Sequence, residues 1–277
     1  MAGLGFVSLR VTDGYERAAR LYPALLALSP ALVAGAVAIY GNAVLLTFIV
    51  SLVSAVGGLF LLASVARELG KKKQTQLYAE WGGEPSTILL RHRDAELNPV
   101  TKTRYHAVLA EHTGISFPSP QEEAIHAESA DHTYAAAATW LRNQAKNKPD
   151  DFPLLLKENI EYGFRRNLYG VKPIAITLTL AVVGAALYSS GAVDCMVPAS
   201  CKVTSIRLPE TLQWKLGACF LWLCLWLVVV TAKWVKSAAF TYAKTLLEIC
   251  EQLPMPKSKG NREKKGKGMP FNQSKTP

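Results

Sequence analysis

No aspartate, glutamate, histidine or arginine interrupts the four long apolar runs of this chain. Proton- and ion-coupled transport normally relies on such groups at mid-membrane depth, so a transport mechanism built on them is disfavoured. The five cysteines form no CxxC pair, which disfavours a zinc ribbon. The five histidines, His92, His106, His112, His126 and His132, include no i,i+4 pair of the kind a helical zinc site needs. There is no glycine-rich phosphate loop, no Walker pattern and no GxSxG. Neither metal nor cofactor is therefore expected, and an enzymatic role has no positive support. No segment sustains the period-two alternation of a strand, which leaves an all-α fold.

Against these absences stands a segregated hydropathy. The chain is 50% hydrophobic, and the apolar residues concentrate in runs. Four runs have the length that a helix needs to cross a hydrocarbon core of about 30 Å: Leu21 to Tyr40, Ala43 to Ala66, Ile174 to Val193 and Trp214 to Val235. Only Gly41-Asn42 separates the first two, so they pair as a hairpin and the first is not a cleaved signal. The expected fold is an all-α membrane protein with four transmembrane helices in two hairpins and a helical cytoplasmic domain between them. Its parts are an N-terminal segment 1–20, hairpin 21–66, domain 67–173, hairpin 174–235 with an outside loop 194–213, an amphipathic helix 236–253 and a disordered basic tail 254–277.

Orientation follows from lysine and arginine. Arg67, Lys71, Lys72 and Lys73 follow the second run, Lys172 precedes the third, and Lys233 and Lys236 close the fourth. The 194–213 loop holds only Lys202 and Arg207. Basic residues stay inside, which places both termini and the 67–173 domain in the cytoplasm of a bacterial inner membrane. The formal charge of +10 then sits beside the membrane and in the tail. Anionic lipid headgroups are the expected partner, at about 1 kcal/mol per basic residue near the surface. Nucleic acid is disfavoured because aromatics are not interleaved with the tail's basic residues. Cys195 and Cys201, both in the outside loop, are expected to pair in an oxidising compartment.

Within the runs, Thr47, Ser51, Ser54 and Gly58 form one small-residue stripe, and Thr177, Ala181 and Gly184 form another. Such stripes let helices approach closely in lipid, so these residues are expected to pack in the bundle or against a second protomer. Pro30 should kink the first run unless a neighbour satisfies the carbonyl it frees. Trp214 and Trp234 bracket the fourth run at about the ~30 Å spacing of an aromatic belt.

The polar domain reads as helices punctuated by Gly82-Gly83, an Asn98-Pro99 start, a Gly114 stop and a Ser119 to Glu122 capping box. Its last helix starts near Pro153 and is expected to end at Gly170, ahead of Pro173. Arg91, His92, Arg93 and Asp94, with Arg104 and His106, make the densest polar cluster, and Arg165 and Arg166 lie near the membrane. Arginines suit anions, so these eight are the candidate ligand-binding residues. A solvated, salt-bridged surface is the alternative.

Several strings carry a resemblance: Tyr15-Glu16-Arg17, Arg20 through Leu26, Trp81-Gly82-Gly83, Leu90 through Asp94, Arg104-Tyr105-His106 and Glu158 through Leu168. Over residues 12–190 the chain resembles a family of uncharacterised bacterial four-span membrane proteins, which implies the order hairpin, helical insert, hairpin and no particular activity. The leading functional expectation is a binding or effector protein. Its cytoplasmic domain would sense a protein partner or anionic ligand, and its bundle would form a homo-oligomer or perturb the membrane. The rivals are a channel or transporter for a small solute, and a membrane enzyme using the histidine-rich domain.

Overall fold

The computed structural model describes residues 14–38, 57–191, 193–195, 201–203 and 209–253. These residues are almost wholly helical. A single turn, Gly14–Glu16, and a π-helical turn, Arg17–Leu21, lead into α1 (Tyr22–Ala38). Then come α2 (Gly58–Trp81), α3 (Pro85–Leu90), α4 (Pro99–Thr113), α5 (Pro120–Ile125), α6 (Ala127–Asn147) and α7 (Pro153–Ser189). A two-stranded antiparallel ladder, β1 (Val193–Cys195) and β2 (Cys201–Val203), precedes α8 (Glu210–Val228) and α9 (Ala232–Glu248). Its register sets Cys195 directly opposite Cys201.

Three helical segments are long and apolar enough to cross a membrane: Gly14–Val37, Pro153–Ser189 and Glu210–Val228. Most of the expected second run, with Thr47, Ser51 and Ser54, lies outside the described residues. The expected count of four spans is thus three among the described residues.

Local chemistry sets most of the boundaries. Gly82 and Gly114 end α2 and α4 at φ of 83° and 70°, a left-handed conformation that disfavours a side chain. The Asn98 side chain accepts from the Val100 N–H, and Ser119 with Glu122 closes a reciprocal capping box. Pro30 stays inside α1 because the Ser29 hydroxyl donates to Leu26 O, the carbonyl that proline leaves free. Pro23 frees Ala19 O in the same way, and the Asn167 side chain fills it from α7 with a 2.6 Å bond.

Two boundaries depart from expectation. The helix starting at Pro153 does not stop at Gly170 but continues through Pro173 to Ser189, 37 residues in all and about 55 Å long. Gly170 is there for packing, not termination: a Cβ on it would lie 2.5 Å from Gly70 N and 2.7 Å from Gly70 Cα. Tertiary contact overrides the local stop signals. Conversely, the fourth run is not one helix from Trp214 to Val235. It breaks between Val228 and Ala232, where four β-branched residues, Val228 to Thr231, disfavour helix. The Thr231 hydroxyl accepts from Trp234 N–H to start α9, and Lys172 Nζ donates to Val230 O at 2.8 Å.

The core forms three clusters strung along α7. The first joins Ala24 and Ala27 of α1, Ala66 of α2, Leu168, Val171 and Ala175 of α7, Trp226 of α8 and Val230. The second joins Leu77, Tyr162, Val235, Ala238 and Ala239. The third is the polar domain's own core, where Leu89, Leu109, Tyr134 and Leu141 meet Leu246, Leu247 and Cys250 from the chain's C-terminal end. From Ala243 to Cys250 the expected amphipathic helix thus buries its apolar face in the polar domain's core.

On α7 the buried stripe is Gly163, Asn167, Gly170, Ala175 and Thr179. Thr177, Ala181 and Gly184 lie on the exposed face, and nothing approaches within 4 Å of a Cβ placed on Gly184. Within the chain this stripe packs against no other helix, so of the two expected packing modes the contact inside the described bundle falls to the other face. Gly58 is half-buried at the start of α2. A Gly170→Ala substitution is expected to lower stability by roughly 1–3 kcal/mol, as overpacking does. Gly184→Ala is expected to be neutral or slightly stabilising. Thermal unfolding of the two variants in the same detergent checks the contrast.

Candidate functional site

The densest cluster of ionisable side chains lies where α3, α4, α5 and α6 meet. Helix α3 is short and ends at Leu90, so its last carbonyls need partners. Two side chains of α4 supply them. Lys102 Nζ donates to Arg91 O and Asp94 O at 2.6 Å each, and His106 Nε2 bonds Leu90 O at 2.8 Å. The segment after α3 then passes over α5 and α6. There Glu123, with its side chain 2% exposed, accepts from four donors. They are His92 N–H at 2.7 Å, Arg93 N–H at 3.2 Å, Arg93 Nη1 at 3.0 Å and the Tyr134 hydroxyl at 2.6 Å.

The arginines are equally committed. Arg91 grips Asp131 with two 2.8 Å bonds, from Nε and Nη2, and Nη2 also donates to Gly82 O. Arg93 Nη2 reaches both oxygens of Asp131 at 2.9 and 3.0 Å. His92 Nε2 bonds Pro118 O at 3.0 Å. The His106 ring stacks on Phe117 and Tyr134, with centroids 4.6 and 5.5 Å away, and meets the His92 ring edge-on at 5.0 Å.

This arrangement brings Arg91, His92, Arg93, Asp94 and His106 together, as the sequence suggested, but turns their donors inward. Three cations, Arg91, Arg93 and Lys102, face three carboxylates, Asp94, Glu123 and Asp131. An incoming phosphate would have to displace bidentate carboxylate contacts, so the cluster works as an internal brace. Arg104 is elsewhere, ion-paired with Glu251. Arg165 pairs with Glu161 at 2.7 Å, donates to Trp234 O and lies over the Trp234 ring at 4.7 Å. Arg166 donates to Gln74 and Asn167 and sits over Tyr162.

Sequence reasoning placed Lys102 with this cluster but missed Glu123, Asp131 and Tyr134 as the residues that close it. A signal was present: Asp131 and Tyr134 are three apart on α6, on the face that continues through Ala138 and Leu141 into the core. A shallow open groove of about 280 Å³ lies beside the brace, between Phe117, Glu122, His126, Ser129 and Thr133. Among the described residues no three His, Cys, Asp or Glu side chains converge as metal ligands would.

Burial governs protonation here. It lowers His106 from its usual 6.5 to about 4, outweighing the opposite pull of the Leu90 bond. It also lowers Lys102. For Glu123, burial pushes the carboxyl up, but the hydrogen bonds from Tyr134, His92 and Arg93 more than offset this, and the carboxyl ends below its usual value.

No family model, curated protein or solved structure matches this chain.

Acid should loosen the brace with a definite sign. Below pH 6.5 the unfolded chain protonates His106 while the folded chain does not. Stability therefore falls from 6.5 down to about 4, by roughly 3 kcal/mol at most. From about 4.5 downward, protonation of Glu123, whose carboxyl is held below its usual value in the folded chain, removes more. His106→Phe is expected to flatten the first step while lowering stability at neutral pH through loss of the Leu90 bond. Urea unfolding at a series of pH values reads both effects.

Proposed function

We propose that this chain is a multi-pass inner-membrane binding and effector protein. In this reading four spans form two hairpins, and both termini and the polar domain face the cytoplasm. The polar domain binds a cytoplasmic protein partner, and the bundle oligomerises or perturbs the bilayer. The observation that carries the proposal is α7. A single helix contributes Leu155 to the polar core, Tyr162 to the middle cluster and Ala175 to the apolar bundle. A load on one end is felt at the other without an intervening loop.

The internal pairing of Arg91, Arg93, Arg104, Arg165 and Arg166 favours a protein partner over a small anion as the trigger. The open face of α7 that carries Thr177, Ala181 and Gly184 supports association between copies, since small residues permit close helix approach in lipid. The Cys195–Cys201 register supports an outside loop closed by a disulfide, because directly opposed antiparallel residues have Cα atoms about 4.5–5.5 Å apart, within the span of a disulfide.

The effector reading is tested by dye entry into cells as expression is raised. Entry is expected with the native chain and is expected to be lost with Gly184→Leu, whose folding should be unchanged because the site is open. Intact membranes at every expression level would contradict the effector role.

A further inference from the structure

The apolar bundle gives way to the polar domain at one level of the molecule, fixed by three contacts. Gly170 of α7 touches Gly70 of α2, Asn167 reaches Ala19 before α1, and Lys172 reaches Val230 before α9. Within about two helical turns of that level along their own elements lie Arg17, Lys71, Lys72, Lys172, Lys233 and Lys236. They come from four separate elements. Lys172 is half-buried and the other five are exposed.

None of the six is in an ion pair among the described residues. The carboxylates nearest to them on the same elements are already taken: Glu16 by Arg20, Glu68 by Arg67 and Glu161 by Arg165. Trp226 and Ala175 are buried in the apolar cluster on one side of this level, and Val235 and Tyr162 in the next cluster on the other. Six positive charges from four elements thus lie near the level where the apolar cluster gives way to the polar one.

From this placement we infer that the six residues form a collar that binds the phosphodiester groups of anionic phospholipids. The inference rests on the membrane placement proposed above. It assigns lipid binding to cations of the folded chain held near the level of the α2–α7 crossing, instead of to the basic tail. Lys172 has two donors to spare beyond its bond to Val230 O. A phosphodiester at this height would keep its acyl chains against the exposed apolar face of α8, where Leu225, Leu227 and Val228 lie.

The test uses the full-length protein in a zwitterionic detergent, titrated with short-chain phosphatidylglycerol, short-chain phosphatidylcholine or inorganic phosphate. The midpoint of thermal unfolding is the readout. The midpoint is expected to rise with phosphatidylglycerol and with neither of the others. Lys71→Gln with Lys72→Gln, and separately Lys233→Gln with Lys236→Gln, should weaken the apparent affinity by about fivefold per lysine. Both pairs are exposed, so folding should survive.

An equal rise with phosphatidylcholine would overturn the collar, since charge would then be irrelevant. An equal rise with inorganic phosphate would make it a soluble-anion site and overturn the lipid assignment. Loss of the effect on neutralising the lysines of the 254–277 tail, with the collar variants unaffected, would move lipid binding to the tail. Alkaline carbonate extraction separates the two levels of failure. Release of the chain from membranes sinks the membrane placement, whereas retention without a phosphatidylglycerol preference sinks only the collar.

Discussion

Two helix backbones touch where Gly70 of α2 meets Gly170 of α7, and Asn167 wedges beside them to hold Ala19 O. Neither glycine has room for a side chain. The fully buried Asn167 carboxamide donates to Ala19 O and accepts from Arg166. Arg166 in turn donates to Gln74, one turn farther along α2. Three elements are thereby fixed in register at the boundary between apolar and polar halves. The proline-freed carbonyl of Ala19 would otherwise be an unpaired acceptor in the interior, at a cost of about 1–3 kcal/mol. The crossing thus solves a packing problem and a hydrogen-bonding problem together.

Everything on the polar side hangs from this crossing. Below it, Tyr162 bonds Tyr78 and stacks on Tyr242, tying α2, α7 and α9 together. Farther out, α9 delivers Leu246 and Leu247 into the core of the polar domain, whose charged side chains brace one another around Glu123 and Asp131. A domain whose arginines are spent on its own carboxylates is suited to being rigid. Rigidity is what a long helix needs if it is to carry a displacement from partner to bundle.

Most of the helices were legible in the sequence because their ends carry their own chemistry: Gly82, Asn98-Pro99, Gly114 and the Ser119–Glu122 box all act within a few residues. What was not legible depends on neighbours distant in sequence. Gly170 and Pro173 look like a helix stop until α2 is seen lying against them. The Val228–Thr231 break is weakly marked, and it is stabilised by Lys172, 58 residues away. Arg91, His92, Arg93, Asp94 and His106 come together near one another in sequence, but their pairing with Glu123 and Asp131 rests on contacts 30 to 40 residues apart. Periodicity on α7 likewise named a small-residue face, while the face chosen for burial was set by Asn167.

The central claim is that α7 is one rigid strut through the boundary. Hydrogen exchange of the full chain in lipid vesicles tests it most directly, read across the amides of 163–175 and 66–77. Uniformly slow exchange through 170–172, matching its flanks, is the result the strut requires. Fast exchange confined to 170–172, with protected helix on either side, would reveal a hinge there and contradict the account.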